Sequence, residues 1–156
     1  MGFKLNNYIP LNKWYWIYFL SVGISVFIYG KYRCEYKDNV DYLAAEPISG
    51  IDGWIISHVI AFAIAGVLFP DTFYTTMVLG ILWELFEMYL GITKPDILDG
   101  VTNCGTEKSE IKYKGVHLKS PSGQNEGYWW YGKKEDILAD AVGFLFGKYI
   151  ILKYLL

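Results

Sequence analysis

Residues 53–69 read GWIISHVIAFAIAGVLF, residues 70–71 are PD, and residues 72–90 read TFYTTMVLGILWELFEMYL. No Asp, Glu, Lys or Arg lies between Asp52 and Asp71, and the first charge after the turn is Glu84. A helix needs ~20 mostly apolar residues, in a range of about 17–25, to cross the hydrocarbon core of a bilayer. Each arm has that length, and Pro70-Asp71 makes the tight turn between them. The stretch therefore predicts a hairpin of two membrane helices, about 53–69 and 72–90, the second closed by Gly91 and by Pro95 beyond it.

The same signal recurs outward on both sides. Trp14 to Gly30 is free of charge and flanked by Lys13 and Lys31. Its apolar run is longer than the ~7–15 residues of a signal peptide, and no small-residue cleavage site follows directly, so it reads as a retained helix. A fourth apolar segment runs from about Asp136 to residue 156. The expectation is a single all-α domain over residues 1–156: a polytopic membrane bundle of about four helices (14–30, 53–69, 72–90 and 136–156) with one long polar loop, 92–134.

Composition agrees. Of 156 residues, 53% are hydrophobic and 19% charged, against about 25% charged in an ordinary soluble domain. Disorder is excluded and a soluble enzyme is disfavoured. A net charge of −2 without a basic run argues against nucleic acid as a partner. Two cysteines, Cys34 and Cys104, are too few for a disulfide scaffold or a Cys-rich zinc site.

In the long loop, alternation of polar and apolar residues over 108–119 suggests a short hairpin or an extended stretch. Tyr128-Trp129-Trp130-Tyr131 reads as an interfacial aromatic anchor. Loops 31–51 and 92–134 hold ten Lys and Arg residues against three on the other side, Lys4, Lys13 and Lys153. The positive-inside rule places both loops in the cytoplasm. Cys34 and Cys104 fall on that same side, and a disulfide there would mean an oxidising compartment and the opposite orientation.

Ionisable residues inside membrane helices are costly and point to function. Here they are His58, Glu84, Glu87, Asp136, Asp140 and Lys148. At 1.5 Å per residue, the first five lie within roughly 10 Å of one membrane face. Glu84 and Glu87 are three apart and Asp136 and Asp140 four apart, so each pair shares a helix face. Converging carboxylates repel unless a cation joins them. Oxygen donors favour Ca²⁺, or another hard ion such as Mg²⁺ or Mn²⁺, and a neutral His58 beside them can act as a general base. The alternative for Asp136 is an ordinary acid at a helix N-terminus. Lys148 is expected to snorkel toward the far face. Gly143 and Gly147 form a small-xxx-small pair suited to close helix packing.

Trp83-Glu84-Leu85-Phe86-Glu87 resembles the Trp-Glu-Leu-x-Glu motif of the eukaryotic base-exchange phosphatidylserine synthases. Ser57-His58 upstream, Glu126 before Trp129-Trp130, and Asp136-Ile137-Leu138 follow in that family's order, over about residues 52–150. The resemblance implies calcium-dependent exchange of phospholipid headgroups. His58 would be the catalytic base, and Glu84, Glu87 and Asp136, with Glu126 and Asp140, the metal ligands. The partners would be a phospholipid and a small amino alcohol such as serine, with a homo-oligomer left open. The chain is far shorter than those synthases.

A second stretch, Asp136-Ile137-Leu138-Ala139-Asp140 with Gly143 and Gly147, is similar to VanZ-like membrane proteins, although Asp140 stands where they carry Asn. That likeness implies a small non-enzymatic membrane protein binding a lipid or amphiphile. A third reading, an ion or proton pathway, requires polar residues to continue across the membrane.

Overall fold

The computed structural model describes residues 12–36, 42–44, 51–93, 95–102, 112–113, 116–117, 130 and 132–154. The fold is all-α. Helix α1 spans Lys13–Tyr36, α2 Gly53–Leu68, α3 Phe73–Thr93 and α4 Lys134–Phe146. Beyond α4 come a wide π turn, Gly147–Ile151, and a last α turn, Leu152–Tyr154. Short 3-10 turns occupy Tyr42–Ala44 and Asp96–Leu98. Within the 108–119 stretch the described residues form an antiparallel ladder, Lys112–Tyr113 against Val116–His117.

Helix boundaries follow local chemistry. Asp52 caps α2, its carboxylate accepting from Ile55 N–H at 2.9 Å. Pro70 has no N–H to continue that helix, and Thr72 starts the next, its carbonyl accepting from Thr76 N–H at 2.9 Å. Helix α1 runs six residues beyond its charge-free stretch. An exposed Lys31–Glu35 pair at i,i+4, 3.4 Å apart, extends it.

Helix α4 packs directly on α2. A side chain at Gly143 or Gly147 would run into the carbonyl of Val59 or Ala63, and one at Gly66 into that of Phe144. The two backbones touch along this seam, as the small-xxx-small spacing implies. Phe62, Ala65 and Phe144 fill it, with Tyr18, Phe19, Ala61, Phe73 and Met77 packed around.

Helix α1 stands off. It reaches the others through side-chain tips: Tyr15 Oη meets Thr76 Oγ1 at 3.1 Å, and Tyr18 Oη donates to the Ala61 carbonyl at 2.5 Å. At its other end, Arg33 is fully buried and Nη2 donates to the Thr102 carbonyl at 2.7 Å. Cys34 is disulfide-bonded. The chain has one other cysteine, Cys104, which lies outside the described residues.

The outer surface is apolar. Leu20, Ile24 and Ile28 on α1, and Ile56, Ile60, Ile64 and Leu68 on α2, are exposed at i,i+4 spacing. Among the described helices, α3 alone is both long enough and apolar enough to cross a membrane by length and composition. Helix α2 is equally apolar but has 16 residues, α1 is diluted by Trp and Tyr, and α4 carries its acids in the first two turns.

One expectation changes and one holds; Tyr128, Trp129 and Tyr131 of the expected aromatic anchor lie outside the described residues. Trp130 is no interfacial anchor: it is buried, donates from Nε1 to Thr102 Oγ1 at 2.9 Å, and packs with Leu90, Phe27 and Trp83. An indole with a buried hydroxyl partner gains more inside than at a headgroup surface. Lys148 points to the far face, as expected for a snorkelling lysine, with Nζ 3.8 Å from Asp71 in the α2–α3 turn.

Candidate metal and lipid site

Three helices bring the site together near one end of the bundle. His58 lies on the second turn of α2, Glu84 on the third-last turn of α3, and Asp136 and Asp140 on the first two turns of α4. Glycines admit them: a side chain at Gly80 would collide with Asp140 Oδ2, and one at Gly132 with the Glu84 carbonyl. Glu84, Asp136 and Asp140 are 4%, 3% and 0% exposed, so none is a solvated helix-end acid.

The hydrogen bonds fix orientation. His58 Nδ1 lies 2.7 Å from Asp140 Oδ1. A carboxylate can only accept, so Nδ1 carries the hydrogen and Nε2 faces the other side. There it lies 3.8 Å from Glu84 Oε1. Glu84 Oε2 accepts from Lys133 N–H at 2.8 Å, at the start of α4, where the helix dipole favours a negative charge. One ligand atom each from His58, Glu84 and Asp136 can be chosen so that all lie within 4.8 Å of one another. Among the described residues, Glu84 Oε1, Asp136 Oδ1 and Asp140 Oδ2 are buried without a hydrogen-bond partner. Unsatisfied buried oxygens are costly, and a cation among them would remove the cost.

The other candidates fall differently. Glu87 is not among those three ligand residues and lines a cavity beside them. Glu126 lies outside the described residues, as does the side chain of His117. Two contributors escaped the sequence reading. Lys133 is buried and pairs through Nζ with Asp52, the α2 cap, while its N–H serves Glu84. Lys133 thus ties α2, α3 and α4 together at the site. The pair is separated by 81 residues, and no local spacing could reveal it.

The cavity has a volume of about 670 Å³, within the range of about 300–1,000 Å³ typical of small-ligand sites. Phe19, Val22 and Val26 of α1 form one wall, and Leu79, Leu82 and Phe86 of α3 another. His58, Glu87 and Asp140 are its ionisable lining. The chamber is thus mostly apolar, with ionisable groups at its edge with the cluster.

No protein-family model matches the chain, nor does any curated protein or solved structure.

Proposed function

We propose that the chain is a multi-pass membrane protein that binds a phospholipid, with its headgroup beside the His58–Glu84–Asp136–Asp140 cluster, and exchanges that headgroup for a small amino alcohol. The observation that carries this reading is the set of three partnerless buried carboxylate oxygens around His58, adjoining an apolar cavity. Membrane-crossing helices are supported by the outward-facing Ile and Leu stripes of α1 and α2 and by α3, whose most apolar stretch is 22% buried. A soluble core helix would be mostly buried.

In the exchange, the incoming hydroxyl oxygen bonds to phosphorus and the bond to the outgoing alcohol breaks. The proton leaves the first oxygen and ends on the second. A divalent cation held by the cluster would supply charge stabilisation on the phosphoryl oxygens. Asp140 holds the His58 ring, and Lys133 holds Glu84.

Orientation follows from Cys34. Disulfides persist in oxidising compartments. The bonded Cys34 therefore favours loops 31–51 and 92–134 on the non-cytoplasmic side, against the Lys and Arg count. Long loops weigh little in that count.

A second reading is a VanZ-like protein that binds the lipid without converting it, and the apolar chamber beside the cluster supports it equally. An ion path is disfavoured. One turn beyond His58 and Asp140, Phe62 and Phe144 pack in an apolar core, Tyr18 Oη is spent on the Ala61 carbonyl, and Thr72, Thr76 and Tyr15 bond to one another at the far end.

Labelled serine, ethanolamine and choline, supplied together to protein in phospholipid vesicles with Ca²⁺, Mn²⁺ or chelator, test the proposal. Label entering lipid only with an ion, and not with Glu84→Gln, supports exchange. Intact copurified lipid with no label incorporated, from folded protein, selects the binding reading.

A further inference from the structure

The geometry points to a first-row transition ion held by His58 Nε2, Glu84 Oε1 and Asp136, with Asp140 as the carboxylate that positions the imidazole, and not to the calcium that the resemblance implies. The inference rests on the proposed site and reassigns one role within it.

The donor set decides. Ca²⁺ takes about 6–8 oxygens. Asp140 spends Oδ1 on His58 and Glu84 spends Oε2 on Lys133 N–H. Among the described residues, the cluster oxygens left for an ion are Glu84 Oε1, those of Asp136 and Asp140 Oδ2, fewer than calcium's complement, and His58 Nε2 faces Glu84 Oε1. An imidazole with two carboxylates suits Zn²⁺, Fe²⁺ or Co²⁺ better than Ca²⁺ or Mg²⁺. His58 Nε2 and Glu84 Oε1 are 3.8 Å apart, less than twice a metal–ligand bond of about 2.1 Å. Asp140 behind Nδ1 completes the arrangement in which a metal-bound histidine donates its other N–H to a carboxylate. The independent sign of a ligand is burial: Glu84 and Asp136 are 4% and 3% exposed, and each has an oxygen without a partner among the described residues. A nitrogen that binds an ion cannot also take a proton, so on this assignment His58 is a ligand and not the base.

Co²⁺ is the probe, because its visible absorption bands report ligand type and number. The protein carries a purification tag without histidine, since the chain's own histidines are two, His58 and His117. The expected result is one Co²⁺ per chain with ligand-field bands, undisplaced by a hundredfold excess of Ca²⁺. His58→Gln should abolish the bands. Asp140→Asn should keep them while weakening affinity about 10–100-fold, the usual effect of removing such a carboxylate. Displacement by equimolar Ca²⁺, or unchanged bands in His58→Gln, would overturn the assignment. If His58→Gln does not fold, pulsed EPR on the Mn²⁺-loaded unmodified protein decides: imidazole nitrogen coupling supports the assignment, and its absence overturns it. Headgroup exchange is read separately. Label transfer with Ca²⁺ and no nitrogen ligand sinks this inference alone, and Co²⁺ bands with no label transfer sink the exchange reading alone.

Discussion

The α2–α4 seam and the α1 wall solve helix packing in opposite ways. Along the seam, Gly66, Gly143 and Gly147 bring two backbones into contact, leaving no room for a side chain. Along the wall, Gly23 faces the edge of Trp83 at ordinary contact distance, and Tyr15 and Tyr18 bridge to the other helices by their hydroxyls. The seam holds the ionisable cluster in register. The wall leaves a chamber of about 670 Å³ beside it. The bundle is tight where the ionisable atoms meet and open beside them.

The largest effect should come from the ion pair that closes the seam's site end. Lys133→Met leaves Asp52 charged, buried and without its Nζ partner, at a cost of about 3–5 kcal/mol. Adding Asp52→Asn keeps an oxygen to cap α2 and should recover most of the loss. Thermal unfolding in detergent, followed by circular dichroism, measures both. If the single variant is as stable as the parent, Lys133 is not what joins the three helices.

Gly143→Ala comes next. The added methyl meets the Val59 carbonyl and must push α4 away from α2, at about 3 kcal/mol, the upper end of ordinary overpacking. The same shift carries Asp140 away from His58, so Co²⁺ affinity should fall along with stability. A stable variant with normal Co²⁺ affinity would show the seam to be looser than its contacts imply.

These two positions mark what was legible in the sequence. The long apolar segments announce four helices, and Gly143 with Gly147 announces a close seam, because both signals are local. His58, Glu84, Asp136 and Asp140 were also readable, since depth along a helix can be counted from its ends. Lys133–Asp52 and Trp130–Thr102 were not: they depend on which distant segments meet. The division of labour between His58 and Asp140 was hidden too, because spacing gives the level of a side chain and not which atom it spends on a neighbour.

On the wall, Tyr18→Phe removes one hydrogen bond to the Ala61 carbonyl and should cost about 0.5–1.5 kcal/mol. Cavity residues should become more accessible to a bilayer-soluble quencher, with Trp54 and Trp83 fluorescence as the readout in variants retaining only those indoles. A loss as large as that of Gly143→Ala would mean that α1 is as much a structural member as α4.

The smallest effect, and the sharpest contrast, is expected at Gly23. A methyl there would lie 3.4 Å from Trp83 Cζ3 and 3.7 Å from Cη2, contacts that need no rearrangement. Replacing a helical glycine by alanine in a tolerant place stabilises by about 0.5–1 kcal/mol. Gly23→Ala should therefore raise the unfolding temperature slightly, where the same substitution at Gly143 lowers it strongly. The two changes are chemically identical, and both sit in the interior of a helix facing another helix. Opposite signs would locate the chamber in the α1 wall without a ligand, because a methyl is welcome only where packing is incomplete. Equal losses would mean that α1 closes on Trp83 as tightly as α4 closes on α2, and that there is no room for a lipid tail between them.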